Sequence, residues 1–476
     1  MNLLEGMKKN STTLNTKGGE YYTTSYDINL DLFSKLTRFT EEYKIIGMFE
    51  DALEEDENLA LANLLYFLDI RGGKGERRIF KTIYKYLCMN YPEKALRILP
   101  FIGELGRYDY ILEGLDTKVE EETINIIKMQ LELDLKSNKP SLLAKWLPSL
   151  RTHGESNKVA KKLTKLLNMS EKDYRKTLSH LRDKINIVEK NLTNKDYEGI
   201  NFAKVPSKAM LKYEKAFNKN TKDKFDAYKT SLKNGETKIN TKGLFPYEII
   251  KKIISKENCD EELYNLMWEN QKELFDTNEN LLVVADTSGS MMNYNAIPYC
   301  TSVGLAMYIA ERNKGFFKNH FITFSEKPTL QIINGKTLSD KIHNMQKINA
   351  WNTDIDLVFE LILKTAKENK LKQKDMPSHI LIISDMEFDR GVYSKTGTNF
   401  NGWKENFKKE GFDLPVIIFW NVAGNSKGLP VTKFDNDVAI VSGFSTNILD
   451  NLLTLEKYTP ENAMLEKLSI YLEMLK

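Results

Sequence analysis

The chain is poor in the side chains from which most metal and nucleophilic centres are built. Its 476 residues include three cysteines and five histidines. Cys88, Cys259 and Cys300 are odd in number and widely spaced, without the CxxC pairing that zinc and redox sites use, and they read as buried free thiols. His153, His180, His320, His343 and His379 never recur at i, i+4, so a histidine-built zinc site has no support. No Ser/His/Asp order, paired catalytic Cys and His, or HExxH helix is present, and the expectation is a protein that is not an enzyme. Long apolar runs are also missing. No stretch approaches the roughly 20 residues a membrane helix needs, and the opening MNLLEGMKKNSTTLNTKGGEYY lacks the apolar core of a secretory signal. The cytoplasm is the expected compartment, with no membrane partner. The turn Arg71-Gly72-Gly73-Lys74-Gly75-Glu76 lacks the GxxxxGK[ST] pattern and follows a helical rather than a strand pattern, which argues against a phosphate loop. Its glycines are expected to supply positive backbone angles, with Arg71 and Arg77 in local ion pairs.

What is present is charge, unevenly placed. With 69 Lys+Arg against 66 Asp+Glu the formal net charge is +3. Residues 151–256, however, hold 26 basic and 12 acidic residues, a net of +14, and leave −11 on the remainder. Such segregation suggests a polyanionic partner, the alternative being solvated lysine-rich helix faces. Within this segment basic and aromatic residues alternate, as in Tyr213-Glu214-Lys215-Ala216-Phe217.

The chain is too long for a single core, so two or three domains are expected. Residues 1–25 are polar and aperiodic and read as a flexible arm, ordered only if docked. From Leu30 the apolar spacing is helical, through Leu36, Leu59–Leu68, Arg77–Leu87, Pro92–Leu99, Glu120–Leu135, Lys158–Leu167, Glu171–Asn191 and Ser207–Leu232. Helices joined by short turns predict antiparallel pairs stacked into a HEAT-like solenoid or ring over 26–275. Over 276–450 short apolar runs (Leu281–Ala285, Phe321–Phe324, Ile380–Ile383, Val416–Trp420, Val438–Val441) alternate with helical stretches. That alternation predicts a Rossmann-like α/β domain with a mostly parallel sheet. Two C-terminal helices are expected over 451–476.

In an open α/β sheet the loops beyond the strands' carboxyl ends carry ligand sites, and Asp286, Ser288 and Ser290 occupy the first of them. A carboxylate and two hydroxyls on alternate residues offer three oxygens to a hard divalent cation. Thr353, before a helix, and Asp385, at the end of Ile380–Ile383, are candidates to add a hydroxyl and a second carboxylate. Mg2+ is the expected ion, with Mn2+ and Ca2+ as alternatives. The other reading is a set of residues that only hydrogen-bond the loops.

The Asp-x-Ser-x-Ser set with a later Thr and Asp resembles the metal-ion-dependent adhesion site of von Willebrand factor A domains. Over roughly residues 20–455 the chain resembles the TROVE/Ro family and its relatives of unassigned function in bacteria and phages. The segments that carry this are Asp69–Arg77, Gly106–Asp109, Lys145–Pro148, Tyr174–Lys176, Leu181-Arg182 and Val205–Ala209, and later Phe419–Asn421, Leu429–Val431 and Val441–Ser445. The resemblance implies a helical ring carrying an A domain and a ribonucleoprotein role, in which the ring holds structured, misfolded or small non-coding RNA. The candidate RNA contacts in the basic segment are Arg151, Lys158, Lys161, Lys162, Arg175, Lys176, Arg182 and Lys184, with helix packing the alternative for Arg175 and Arg182. A partner's acidic side chain completing the metal shell is the second expectation, and a metal-dependent protein-interaction module without RNA is the competing reading. A monomer is the expected state.

Overall fold

The structure, a computed structural model, describes residues 12–14, 18–150, 153–241, 243–255, 260–271, 273, 279–324, 327–346, 354–388, 399–424 and 428–476. Arg151, Cys259 and Thr353 lie outside the described residues. A helical region is followed by an α/β domain, as the change of apolar period near residue 280 predicts.

The helices form where apolar spacing and end signals agree. Asp56 accepts from the Leu59 N–H and caps the helix Glu57–Leu68, whose residues from Ala60 onward are all buried. Its turn into Arg77–Asn90 depends on close packing: a Cβ on Gly73 would lie 2.2 Å from the Tyr66 carbonyl oxygen. The positive backbone angle in that turn belongs to Gly75 alone (φ +63°), so Gly72 and Gly73 are there for space rather than for angle. Of the two expected ion pairs, Arg77 meets Asp109 at 3.6 Å, whereas Arg71 makes none among the described residues. Two stretches that read as continuous helix are broken. Asn186, in left-handed conformation, separates Glu171–Ile185 from Val188–Asn194, and Thr221 separates Ser207–Asn220 from Lys222–Lys233. Sequential helices pack on one another, and the last return to the first. Arg38 Nη1 donates to Tyr247 Oη at 2.6 Å, and Lys208 pairs with Glu248 at 3.1 Å.

The α/β domain has strands β3 (Leu281–Ala285), β4 (His320–Thr323), β5 (Leu330–Ile332), β6 (His379–Ser384), β7 (Val416–Asn421) and β8 (Val438–Ser442) in the order β5-β4-β3-β6-β7-β8. All neighbours are parallel except the edge strand β5. β3 is buried at every position, as a central parallel strand covered on both faces requires. Because the chain leaves β3 toward β4 and resumes on its other side at β6, the strand order reverses between β3 and β6, where α/β sheets place their ligands.

The ends of the chain are tied to this domain. In the part of the expected N-terminal arm that is described, β1 (Thr12–Leu14) pairs with β2 (Glu20–Tyr22), and Tyr22 exchanges backbone hydrogen bonds with Leu429 at 2.8 and 2.9 Å. Of the two helices expected over 451–476 only one forms, Pro460–Met474; ahead of it lie two short 3-10 turns, Thr446–Leu449 and Leu452–Thr454. That helix packs on both β8 and Glu57–Leu68. Lys74 closes the seam between the two regions. It is fully buried and donates to the Phe33 carbonyl and, at 2.7 Å, to Ser442 Oγ.

Candidate functional site

The ends of β3 and β6 bring the predicted carboxylates together. Ala285 is in register with Ile383, so Asp286 lies beside Ser384 and its N–H donates to the Ile383 carbonyl at 2.9 Å. Ser384 Oγ donates to Asp286 Oδ2 at 2.7 Å and lies 3.5 Å from Asp385 Oδ1. The Ser288 N–H donates to Asp286 Oδ1 at 2.9 Å, and the Ser288 and Ser290 hydroxyls are 3.1 Å apart. Asp286 is 0% and Asp385 5% exposed. Burial, and after it the Asp385 charge, pushes the Asp286 carboxyl up to about 6.

Two buried carboxylates at one strand junction, with two serine hydroxyls in mutual contact, are oxygen donors of the kind a hard divalent cation takes. Each Asp286 oxygen accepts one protein hydrogen bond and keeps further acceptor capacity. Among the described residues no three His, Cys, Asp or Glu side chains gather as a metal cluster, so hydroxyls rather than imidazoles or thiolates would complete the shell. The residues present fit the group. Asp286, Ser288, Ser290 and Asp385 would hold it, and a bound cation would offer a coordination position to an oxygen ligand. Of the expected set only Thr353 is outside the described residues. Asp354, next in the chain, accepts from the Asp356 N–H at 3.0 Å, just ahead of the helix Asp356–Glu368.

Neighbouring segments brace this loop. Tyr294, Asn295 and Ala296 follow the serines in left-handed conformation (φ 53°, 59° and 56°), each at a cost of roughly 1 kcal/mol or more. Tyr294 is held by a stack on Phe39 of the helical region, with ring centroids 4.1 Å apart. On the other side Tyr21 Oη accepts from the Phe388 N–H at 3.3 Å, just beyond Asp385.

The second feature is an open cavity of about 1880 Å³ lined by the helical region. Residues drawn from between 68 and 77, 106 and 110, 142 and 150, 172 and 194, and 203 and 212, with Asn240 and Gly243, line it, so one stretch after another around the region contributes. Twelve lysines and arginines line it against a single acidic residue, Glu189. Some are partly neutralised: Arg107 bridges Asp109 and lies 3.6 Å over the Trp146 ring, and Lys145 meets Glu189 at 3.5 Å. Among the described residues, Arg71, Lys172, Arg175, Lys176, Lys204 and Lys212 line the wall, exposed and with no carboxylate in ion-pair range.

The sequence-predicted RNA contacts divide. Arg175, Lys176 and Arg182 line the cavity. Arg182 does so as a packing residue, its guanidinium donating to the Ala144 and Leu147 carbonyls and to Ser149 Oγ at 2.7 to 2.8 Å. Lys158, Lys161, Lys162 and Lys184 are not on the wall. Lys158 pairs with Glu155, Lys162 with Asp116 and Glu120, and Lys184 donates to the Leu135 and Ser137 carbonyls at the end of Glu120–Lys136. Arg151 is outside the described residues. The alternation at Tyr213–Phe217 is not a stacking surface either, since Phe217 is buried against Phe202 and Phe225, and Glu214 is buried against Lys252. The other nine cations of the wall, Arg71, Arg77, Arg107, Lys145, Lys172, Lys190, Lys204, Lys208 and Lys212, were not among the predicted contacts. For Arg71, Arg77, Arg107, Lys145 and Lys208 a signal was present, because they lie in the motif segments rather than in the densest lysine runs.

A family described only as a domain of unknown function (DUF7788) matches residues 280–470, and a second of the same standing (DUF2828) matches 122–286. Uncharacterized protein L728 of Acanthamoeba polyphaga mimivirus is 29% identical over 95% of this chain and 86% of its own length. Among solved structures, the Ro (RSR) protein of Deinococcus radiodurans aligns over 93% of this chain and 99% of that one, at 14% identity and a TM-score of 0.39. No described helix is long and apolar enough to cross a membrane.

Proposed function

We propose that the protein is an RNA-binding protein that holds RNA in the basic cavity of its helical region, with a divalent-cation site on its α/β domain for partner docking. The observation that carries this reading is the cavity wall, which among the described residues has twelve cationic side chains against one acidic, six of the cations exposed with no described carboxylate in ion-pair range. Cations left unpaired on a concave wall repel one another, and a polyanion relieves that repulsion while releasing its own counterions. The segments resembling the TROVE/Ro family, Asp69–Arg77, Gly106–Asp109, Lys145–Pro148, Tyr174–Lys176 and Val205–Ala209, all contribute to this wall, which favours RNA over other polyanions. The walls offer phosphate contacts and the Trp146 ring rather than a groove-reading helix, so recognition is by shape and unpaired strand more than by sequence.

Filter binding of structured and single-stranded RNA across a salt series tests the reading. If about six phosphates are neutralised, log affinity falls against log salt with a slope near −4. An affinity indifferent to salt, or none at low salt, contradicts it. The buried Asp286 and Asp385 pair supports the docking role, in which an acidic side chain of a protein partner completes the shell of a bound Mg2+ or similar ion. Capture of partners by the wild type but not by Asp286→Ala, with loss on chelation, is the expected result.

A further inference from the structure

We propose that cation binding at Asp286 and RNA binding in the cavity are energetically coupled through the Leu36–Thr40 loop, which touches the supports of both sites. The inference rests on the proposed function above and adds a regulation to it.

The loop lies across the end of the sheet that carries the cation residues. The Leu36 carbonyl accepts from Ser442 Oγ at 3.2 Å, at the end of β8. Phe39 stacks on Tyr294 at 4.1 Å and meets Phe444 edge-on at 5.7 Å. Tyr294 is four residues beyond Ser290 and opens the left-handed run Tyr294–Ala296, so it connects the serine loop to Phe39. Gly424, three residues past the end of β7, leaves no room for a side chain, since a Cβ there would lie 2.7 Å from Thr37 Oγ1.

From the same loop Arg38 reaches Glu76, in the turn that carries part of the cavity wall. Its guanidinium lies 3.9 Å over the Phe444 ring and donates to Tyr247 Oη at 2.6 Å and to Glu76 Oε1 at 2.9 Å. Glu76 is buried, and its chain neighbours Gly75 and Arg77 line the cavity. The Arg38 carbonyl accepts from Arg78 Nε at 3.2 Å, a second tie to the same turn. Asp286, Asp385, Ser288 and Ser290 would hold the cation, whose charge would offset the repulsion between the two carboxylates and restrain the Ser288–Ser290 loop. Tyr294 is then held in one position, Phe39 and Arg38 with it, and the Gly75–Arg77 wall is presented in one arrangement. Two ligands that each favour the same arrangement of a shared element raise one another's affinity by the same factor.

Fluorescence anisotropy with a labelled single-stranded oligouridine, at constant ionic strength in Mg2+ or in chelator, measures the coupling. Wild type, Asp286→Ala, Phe39→Ala and the milder Phe39→Leu are compared, and Mn2+ binding is followed by calorimetry. Magnesium also acts on RNA itself, and the Asp286→Ala ratio measures that contribution. The expected result is a wild-type affinity ratio about 5-fold or more above the Asp286→Ala ratio. In the Phe39 variants Mn2+ binding and chelator-state RNA affinity stay within about twofold while the ratio falls to that of Asp286→Ala. If Phe39→Ala does not fold, Phe39→Leu decides. A wild-type ratio equal to that of Asp286→Ala, with both ligands bound, overturns the coupling alone, as does a Phe39 variant that keeps the wild-type ratio. Failure of the wild type to bind either Mn2+ or RNA overturns the proposed function with it.

Discussion

Lys74 carries a proton question that few buried side chains pose. It has aromatic rings around it, Phe33 at 4.9 Å and Phe67 at 5.0 Å, and no carboxylate in contact. Burial pulls its ammonium down to about 7. Below that pH the lysine is charged in both folded and unfolded chains, and burying the charge costs stability. Between about 7 and the ordinary lysine range the folded protein binds fewer protons than the unfolded one, so stability rises with pH, by up to about 1.4 kcal/mol per unit. The variant Lys74→Met is expected to be more stable than wild type at pH 6, with a flatter profile up to pH 10 in chemical denaturation. In the variant the single Ser442 hydroxyl proton is shared by the Phe33 and Leu36 carbonyls, 3.1 and 3.2 Å away. An unchanged profile contradicts the burial argument. Asp286 gives the opposite case. Replacing it by Asn removes a raised, buried carboxyl beside Asp385 and is expected to stabilise the metal-free protein by about 2 kcal/mol while abolishing the Mg2+-induced shift in melting temperature. Thermal scans with and without Mg2+ check both halves, and a surviving shift contradicts the assignment of Asp286 as a ligand. Asp286, Ser288 and Asp385 were legible because a strand end places them locally. Lys74 was not, because burial by Phe33, Phe67 and Ser442 depends on segments up to 368 residues away.

At the level of elements, apolar period located most helices and five of the six strands of the large sheet. The exception, β5, alternates exposed Leu330 and Ile332 with Gln331 and offers no apolar run. The helix Glu42–Glu55 buries only Ile45, Phe49 and Ala52, a stripe too narrow to stand out among its charges. Helix breaks were harder to see, because Asn186 departs from helix in its backbone angles and not in polarity. Its left-handed conformation gives a test. Asn186→Gly is expected to change stability by only a few tenths of a kcal/mol, and Asn186→Val to destabilise by about 1 to 2 kcal/mol, as read by urea denaturation. Equal effects would mean that the break is set by side-chain contacts and not by backbone angle.

Over the whole molecule the charge asymmetry was visible as a sum, but its direction in space was not. The +14 segment sends Lys172, Arg175, Lys176, Lys204 and Lys212 to the cavity and leaves Lys158 and Lys161 on other faces. Which lysines turn inward depends on how successive helices wind around the cavity, and no single helix's pattern records that. The measurement that bears most directly on the account compares two double charge reversals of equal net charge. Arg175→Glu with Lys176→Glu alters the cavity wall, and Lys158→Glu with Lys161→Glu alters a face away from it. In anisotropy titrations with RNA at about 0.15 M salt the first pair is expected to weaken binding at least about tenfold and the second by no more than about threefold. Equal losses from the two pairs, or no loss from the first, would contradict the claim that the cavity holds the RNA.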